Sequence, residues 1–135
     1  MRIYKTTDKI EVKIDGISFF LSPLSYQQKL SLQMDMNKAS NGDLTSAMDA
    51  VIKALKMSIK DVKGLKDSEG DYKLSFEDNG EISDSCIDDL LNMPLSNKLS
   101  ATCSQFLAGV PDKILDQNGV ELEGVSVIKV KPGKK

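Results

Sequence analysis

Histidine is absent from this chain, and so is tryptophan. The first absence removes the commonest general base and the commonest metal ligand. A Ser-His-Asp or Cys-His arrangement cannot be assembled from these residues, although Asp, Glu, Lys and Tyr remain for acid–base work. Phosphate-cradling glycine loops and dinucleotide fingerprints are missing as well. Aromatic residues make up only 5% of the chain, and none lies between Tyr26 and Tyr72. That gap contains the densest basic stretch, Lys53, Lys56, Lys60, Lys63 and Lys66. Nucleic-acid binding calls for a basic balance with aromatics for stacking, whereas the net charge is −2 and the pI about 5.2. Those lysines read as a solvated helix face. No run approaches the ~20 apolar residues of a membrane-spanning helix. Met1 to Asp8 has no apolar segment of the kind that makes a signal peptide.

Cysteine is nearly absent too. Cys86 and Cys103 both fall on apolar helical positions and read as small buried hydrophobes in a reduced setting, although the sequence leaves a disulfide between them open. A reactive thiol needs nearby positive charge, and Cys86 has Asp84, Asp88 and Asp89 around it instead.

What is present points to one domain. The 135 residues are 40% hydrophobic and 28% charged, an ordinary balance for a chain that builds one core without metal or disulfides. We expect a single α+β domain over residues 1–128 and a basic, mobile tail over 129–135. Lys9 to Ser22 holds two alternating runs around Asp15-Gly16, the preferred pair for a type I′ hairpin turn. A two-residue loop pairs Ile14 with Ile17, Val12 with Phe19 and Ile10 with Leu21, all on one face. A lone hairpin is marginal in water, so that face must lie on the helices that follow. Phe20 points the other way, towards the rest of the domain or a partner.

Ser25 and Gln28 form a capping box, which opens a helix from Tyr26 to about Lys38. Asn41-Gly42 breaks it, and Asp43 or Thr45 caps the next. There Leu44, Ala47, Met48, Val51, Ile52, Leu55 and Ile59 follow a helical stripe. Val62 to Leu65 reads as short and extended, and Asp67 to Asp71 as a turn. Tyr72, Leu74 and Phe76 alternate like a strand, and Asp78-Asn79-Gly80 turns again. Ser83 caps a short helix with Cys86, Ile87, Leu90 and Leu91 inward, stopped by Pro94. A fourth helix, from about Asn97, places Leu99, Thr102, Cys103, Phe106 and Leu107 together and ends near Gly109. Lys113 to Leu122 reads as a small hairpin around Asn118-Gly119, extended by Val125, Val127 and Val130.

Three clusters invite a functional reading. Asp67, Glu69, Asp71, Glu77, Asp78, Glu81, Asp84, Asp88 and Asp89 face one base, Lys73. A calcium loop needs glycine at its sixth position; Asp67-Ser68-Glu69-Gly70 and Asp116-Gln117-Asn118-Gly119 both place it at the fourth. No metal and no cofactor is therefore expected. Four of the six methionines, Met34, Met36, Met48 and Met57, lie on or near the first two helices. They serve as core filling or as an adaptable partner surface. Met34 and Met36 cannot both face one side of a helix, so at least one is exposed.

The order of hairpin, Pro23-Leu24 and helices resembles the small tail-assembly chaperones of long-tailed bacteriophages. Asp61-Val62-Lys63-Gly64-Leu65 extends the likeness, with Asp67, Gly70, Tyr72, Leu74 and Phe76 and then Ser83 to Leu91. These are hydrophobic and turn patterns over about two thirds of the chain, not a catalytic signature. The resemblance implies a non-enzymatic protein of the host cytoplasm that binds the tape-measure protein and helps tail-tube subunits polymerise around it. It also implies short and frameshift-extended forms, with which Gly133-Lys134-Lys135 is compatible. Homo-oligomers are open; nucleic acid and membrane are not expected partners. A partner surface would use Phe20, Tyr26, Met34, Met36 and Met48. The alternative is a structural capsid, neck or tail protein retained in the virion. A carboxylate enzyme or regulator built on Asp88 and Asp89 is a third class.

Overall fold

A computed structural model describes residues 4–40, 44–106, 109–116 and 118–128, with the side chains of 35, 36, 38–40 and 44–48 left aside. The expected boundaries and contacts at Asn41, Gly42, Asp43, Leu107 and Val130, and the tail at 129–135, lie outside the described residues.

The alternating runs form β1 (Ile10–Ile14) and β2 (Ile17–Leu21). Asp15 and Gly16 take φ of 52° and 86°, the left-handed pair that a type I′ turn requires. The register is Ile10 to Leu21, Val12 to Phe19 and Ile14 to Ile17, as the turn dictates. Five of these six apolar side chains are buried; Ile17, beside the turn, is half-buried. The other face carries Glu11, Lys13, Ser18 and Phe20, where the Ser18 hydroxyl donates to the Glu11 carboxylate at 2.7 Å.

Two helical excursions leave this hairpin and return on either side of it. The first is α1 (Tyr26–Ser40) and α2 (Leu44–Ser58), which delivers β3 (Ile59–Lys63) beside β2. The second includes α3 (Asp84–Leu91) and α4 (Ser96–Gln105) and delivers β6 (Val125–Ile128) beside β1. Between them a two-stranded ribbon of β4 (Lys66–Asp67) and β5 (Gly70–Asp71) realises the expected turn. The main sheet is antiparallel with order β3-β2-β1-β6. The expected α+β class is therefore what the chain adopts.

Several local readings change. Ile59 is not the end of the α2 stripe but the first residue of β3, fully buried and paired with Leu21. A β-branched residue packs well on a pleated surface, and the Ser22 N–H bonds the Ser58 carbonyl at 2.9 Å to close the helix directly onto the sheet. In α2 the buried positions are Ala50, Ala54, Leu55, Met57 and Ser58, while Val51 and Ile52 are half-buried. The buried arc is rotated from the expected stripe because α2 packs against α1, α3 and α4 at once. Lys56 is not a solvated lysine. Its side chain is 17% exposed, and its ammonium bonds Asp84 at 2.8 Å and lies 3.9 Å from Glu77. This tie between α2 and the first turn of α3 raises the Lys56 pKa, chiefly through the Asp84 hydrogen bond.

Tyr72, Leu74 and Phe76 are extended but do not form a strand. Phe76 alone makes an isolated bridge, to Ile82. Ser83 caps α3 as expected, accepting from the Cys86 N–H. Leu91 is only half-buried, whereas Cys86, Ile87 and Leu90 are in the core. After α4, the Gln105 amide imitates a strand partner. It donates to the Leu115 carbonyl at 2.7 Å and accepts from the Leu115 N–H at 3.0 Å. The expected hairpin at 113–122 reduces to one bridge, Leu115 to Glu121. Val125 and Val127 join β1, not that hairpin, and so pair the backbone groups along the free edge of β1.

Two substitutions test this packing. Gly124 has φ +82°, and a Cβ there would collide with the Asp15 carboxylate, which also holds Lys98 at 2.8 Å. Gly124→Ala should lower stability by about 1–3 kcal/mol in urea unfolding; a change inside the error would contradict the packing. Among the described residues the buried Ser58 hydroxyl has no hydrogen-bond partner. Ser58→Ala should raise stability by about 1 kcal/mol, and a loss would mean that the hydroxyl is bonded.

Candidate partner-binding face

The capping box is formed: the Gln28 backbone N–H donates to the Ser25 hydroxyl at 3.2 Å, and the Ser25 backbone N–H donates to the Gln28 side-chain Oε1 at 2.9 Å. It fixes the start of α1 and thereby the rotation of every later side chain. Leu32 is buried, following Leu24 just before the helix, and α1 packs on α2. The outward face is then Tyr26, Leu30 and Met34, at i, i+4 and i+8. They are 75%, 44% and 64% exposed. Gln27, Gln33 and Asn37 flank them, also exposed. Tyr26, Leu30, Gln33, Met34 and Asn37 span about 100° of helical arc. No charged residue stands among the described exposed positions of α1, in a chain of which 28% is charged.

This places two of the expected partner residues together, Tyr26 and Met34. It adds Leu30, which the sequence reading passed over; its spacing between Tyr26 and Met34 was the available signal. Phe20 belongs to a different feature. It sits on the outer face of the sheet, half-buried, with the Lys63 ammonium 5.5 Å from its ring centroid. The side chains of Met36 and Met48 lie outside the described residues. Met57 is in the core.

The acid-rich segment contains the most connected polar cluster. Tyr72 donates its hydroxyl to Asp89 at 2.8 Å. Burial, with the neighbouring Cys86 and Asp89, raises its pKa strongly, so the phenol stays protonated. Cys86 is buried and free, as is Cys103, but it is not merely a small hydrophobe. Its sulfur lies 3.2 Å from the Ser75 N–H and 3.4 Å from the Ser75 hydroxyl. Burial resists its ionisation; hydrogen bonds, first from Ser75 and then from Ser83 and Tyr72, outweigh burial and lower the pKa. Cys103 has burial alone and is pushed up to about 12. Cys86, Tyr72 and Asp89 thus form one hydrogen-bonded chain running from the core to the surface. Among the described residues no group of three carboxylates or cysteines is placed to hold a metal ion, and no helix is long and apolar enough to cross a membrane.

No family model, curated protein or solved structure matches this chain.

The two thiols should differ in pH response. A depressed folded pKa keeps Cys86 ionised to lower pH than Cys103. In single-cysteine variants followed by mass spectrometry, Cys86 should alkylate faster than Cys103 at mildly alkaline pH. Ser75→Ala should move its profile to higher pH. An unchanged profile would show that Ser75 does not hold the thiolate.

Proposed function

We propose that this chain is a non-enzymatic assembly chaperone of a long-tailed bacteriophage, acting in the host cytoplasm, and that α1 is its contact with the tape-measure protein. The observation that carries the reading is the exposed, uncharged Tyr26-Leu30-Met34 face. Apolar anchors at helical spacing are what one helix lays against an apolar face of another, and a tape-measure protein is a long helical partner. Tyr adds contact area at low entropic cost, and Met adapts to several partner sequences. Neutral Gln and Asn flanks add hydrogen bonds without fixing a charge pattern on the partner. The resemblance of hairpin, helices and the 61–91 segment to tail-assembly chaperones supplies the class of partner, and tail-tube subunits would be the second client.

Exposed side chains contribute little to the folded state, so this face can be altered without unfolding the protein. Leu30→Asp with Met34→Asp should leave the melting temperature near wild type and weaken binding to a purified tape-measure fragment at least about tenfold, or roughly 1.4 kcal/mol. Calorimetry of wild type and variant decides it; no binding by wild type at low salt would end the proposal. Mass spectrometry of purified particles and infected-cell lysate separates this role from a virion component. A chaperone is present in the lysate and missing from the particle, whereas stoichiometric copies in the particle would assign the chain to the virion.

A further inference from the structure

A pocket of about 430 Å³ lies between the start of α1 and the start of β3. Ser25, Gln27, Gln28 and Ser31 line it, together with Met57 and Lys60 from the junction of α2 and β3. No carboxylate is among its described lining residues. Lys60 is half-buried, and its ammonium has no ion pair and no hydrogen bond among the described residues. In the capping box the Ser25 hydroxyl and the Gln28 side-chain oxygen act as acceptors. Their own protons therefore remain to be donated. On α1 itself Lys29 is also half-buried, and its ammonium too is without an ion pair among the described residues.

The two lysines flank the exposed stripe. Residues three and four apart on a helix are neighbours. Lys29 therefore adjoins Tyr26 and Gln33 on one side. On the other side Gln27 adjoins Leu30, and Ser31 adjoins both Gln27 and Met34, so the rim of the pocket that holds Lys60 is the opposite flank. Tyr26, Leu30 and Met34 thus run between two cations, with neutral Gln and Asn in between. Where two helices pack along an apolar seam, the charges beside the seam set partner choice. The charges here exclude two occupants. A second copy laid on the same face would oppose lysine to lysine. A nucleic acid, charged along its whole backbone, has no use for an apolar stripe between its contacts. An unpaired, half-buried ammonium beside free hydroxyl and amide donors calls for a carboxylate.

We infer that the segment seated on α1 is an amphipathic helix of another polypeptide whose apolar stripe is edged by carboxylates on both sides, one edge meeting Lys29 and the other entering the pocket at Lys60. This rests on the reading of α1 as the partner-binding face and adds the charge pattern that the partner must carry.

The test is a displayed library of helical peptides with a fixed apolar stripe and randomised flanking positions, selected on the full wild-type chain. Enriched peptides should carry Asp or Glu on both flanks. They should bind the Lys29→Glu, Lys60→Glu variant at least about tenfold more weakly, and exchanging their acids for lysine should restore binding to that variant. Higher salt should narrow the preference. Matched thermal melts establish that the variant is folded. The milder Lys29→Gln, Lys60→Gln variant, which should lose the preference without reversing it, gives a second readout. The inference is overturned by no enrichment on wild type, by flanks no more acidic than the input, or by a preference that neither variant alters. The Leu30→Asp, Met34→Asp variant separates the two readings. If it loses the peptides while the lysine variants keep them, the α1 face stands and this inference falls. If it keeps the peptides, both fall. Self-association of wild type that it abolishes would seat a second copy on the face and also overturn the inference.

Discussion

A two-stranded hairpin with one fully apolar face is unstable until something lies on that face and beside its strands. This requirement organises the molecule. The Asp15-Gly16 turn sets the register, the register puts Ile10, Val12, Ile14, Phe19 and Leu21 on one side, and two helical excursions cover that side and return to pair with the two open edges. The turn is also held from outside: the Asp15 N–H bonds the Gly124 carbonyl at 2.9 Å and its carboxylate bonds Lys98. The chain ahead of β6 and helix α4 thus both fasten to the turn that the whole register depends on.

The parts of the fold governed by local rules were legible in the sequence. A Asp-Gly turn, a Ser-x-x-Gln box and a Ser cap ahead of a short apolar helix each act over a few residues, and each is formed as read. What depends on distant partners was not. Ile59 continues a helical stripe by spacing, yet a place beside Leu21 outweighs one more helical turn. Tyr72, Leu74 and Phe76 alternate like a strand, but alternation says which side chains face inward and not whether a ladder partner stands alongside. Val125 and Val127 looked like part of the nearest hairpin and instead closed a sheet begun at Ile10. The polar roles of Lys56 and Cys86 were hidden for the same reason, since Asp84 and Ser75 reach them only through tertiary packing.

The candidate face shows the reverse case. Tyr26, Leu30 and Met34 have clear helical spacing, but spacing alone does not say which side of a helix meets the core. With Leu32 turned inward, the exposed positions of α1 that are described carry Tyr26, Leu30 and Met34 among neutral Gln and Asn, and no charge. Helices that cover a core usually present charge to water. On the described positions of α1 that water-facing side carries Tyr, Leu, Met, Gln and Asn instead. The polar cluster of Tyr72, Ser75, Cys86 and Asp89 is instead occupied with its own hydrogen bonds and orders the segment that frames the β3 edge.

The strand order has a consequence for biogenesis. β1 lies between β2 and β6, so one of its sides has a neighbour within seconds of synthesis while the other waits for more than a hundred residues of chain to emerge. During that interval a strand border with unpaired N–H and C=O groups is presented to the translating cell, and loop closure over such a separation is slow. Until that strand arrives, neighbouring nascent copies on one messenger meet with the same border open, the situation in which strand exchange between chains arises.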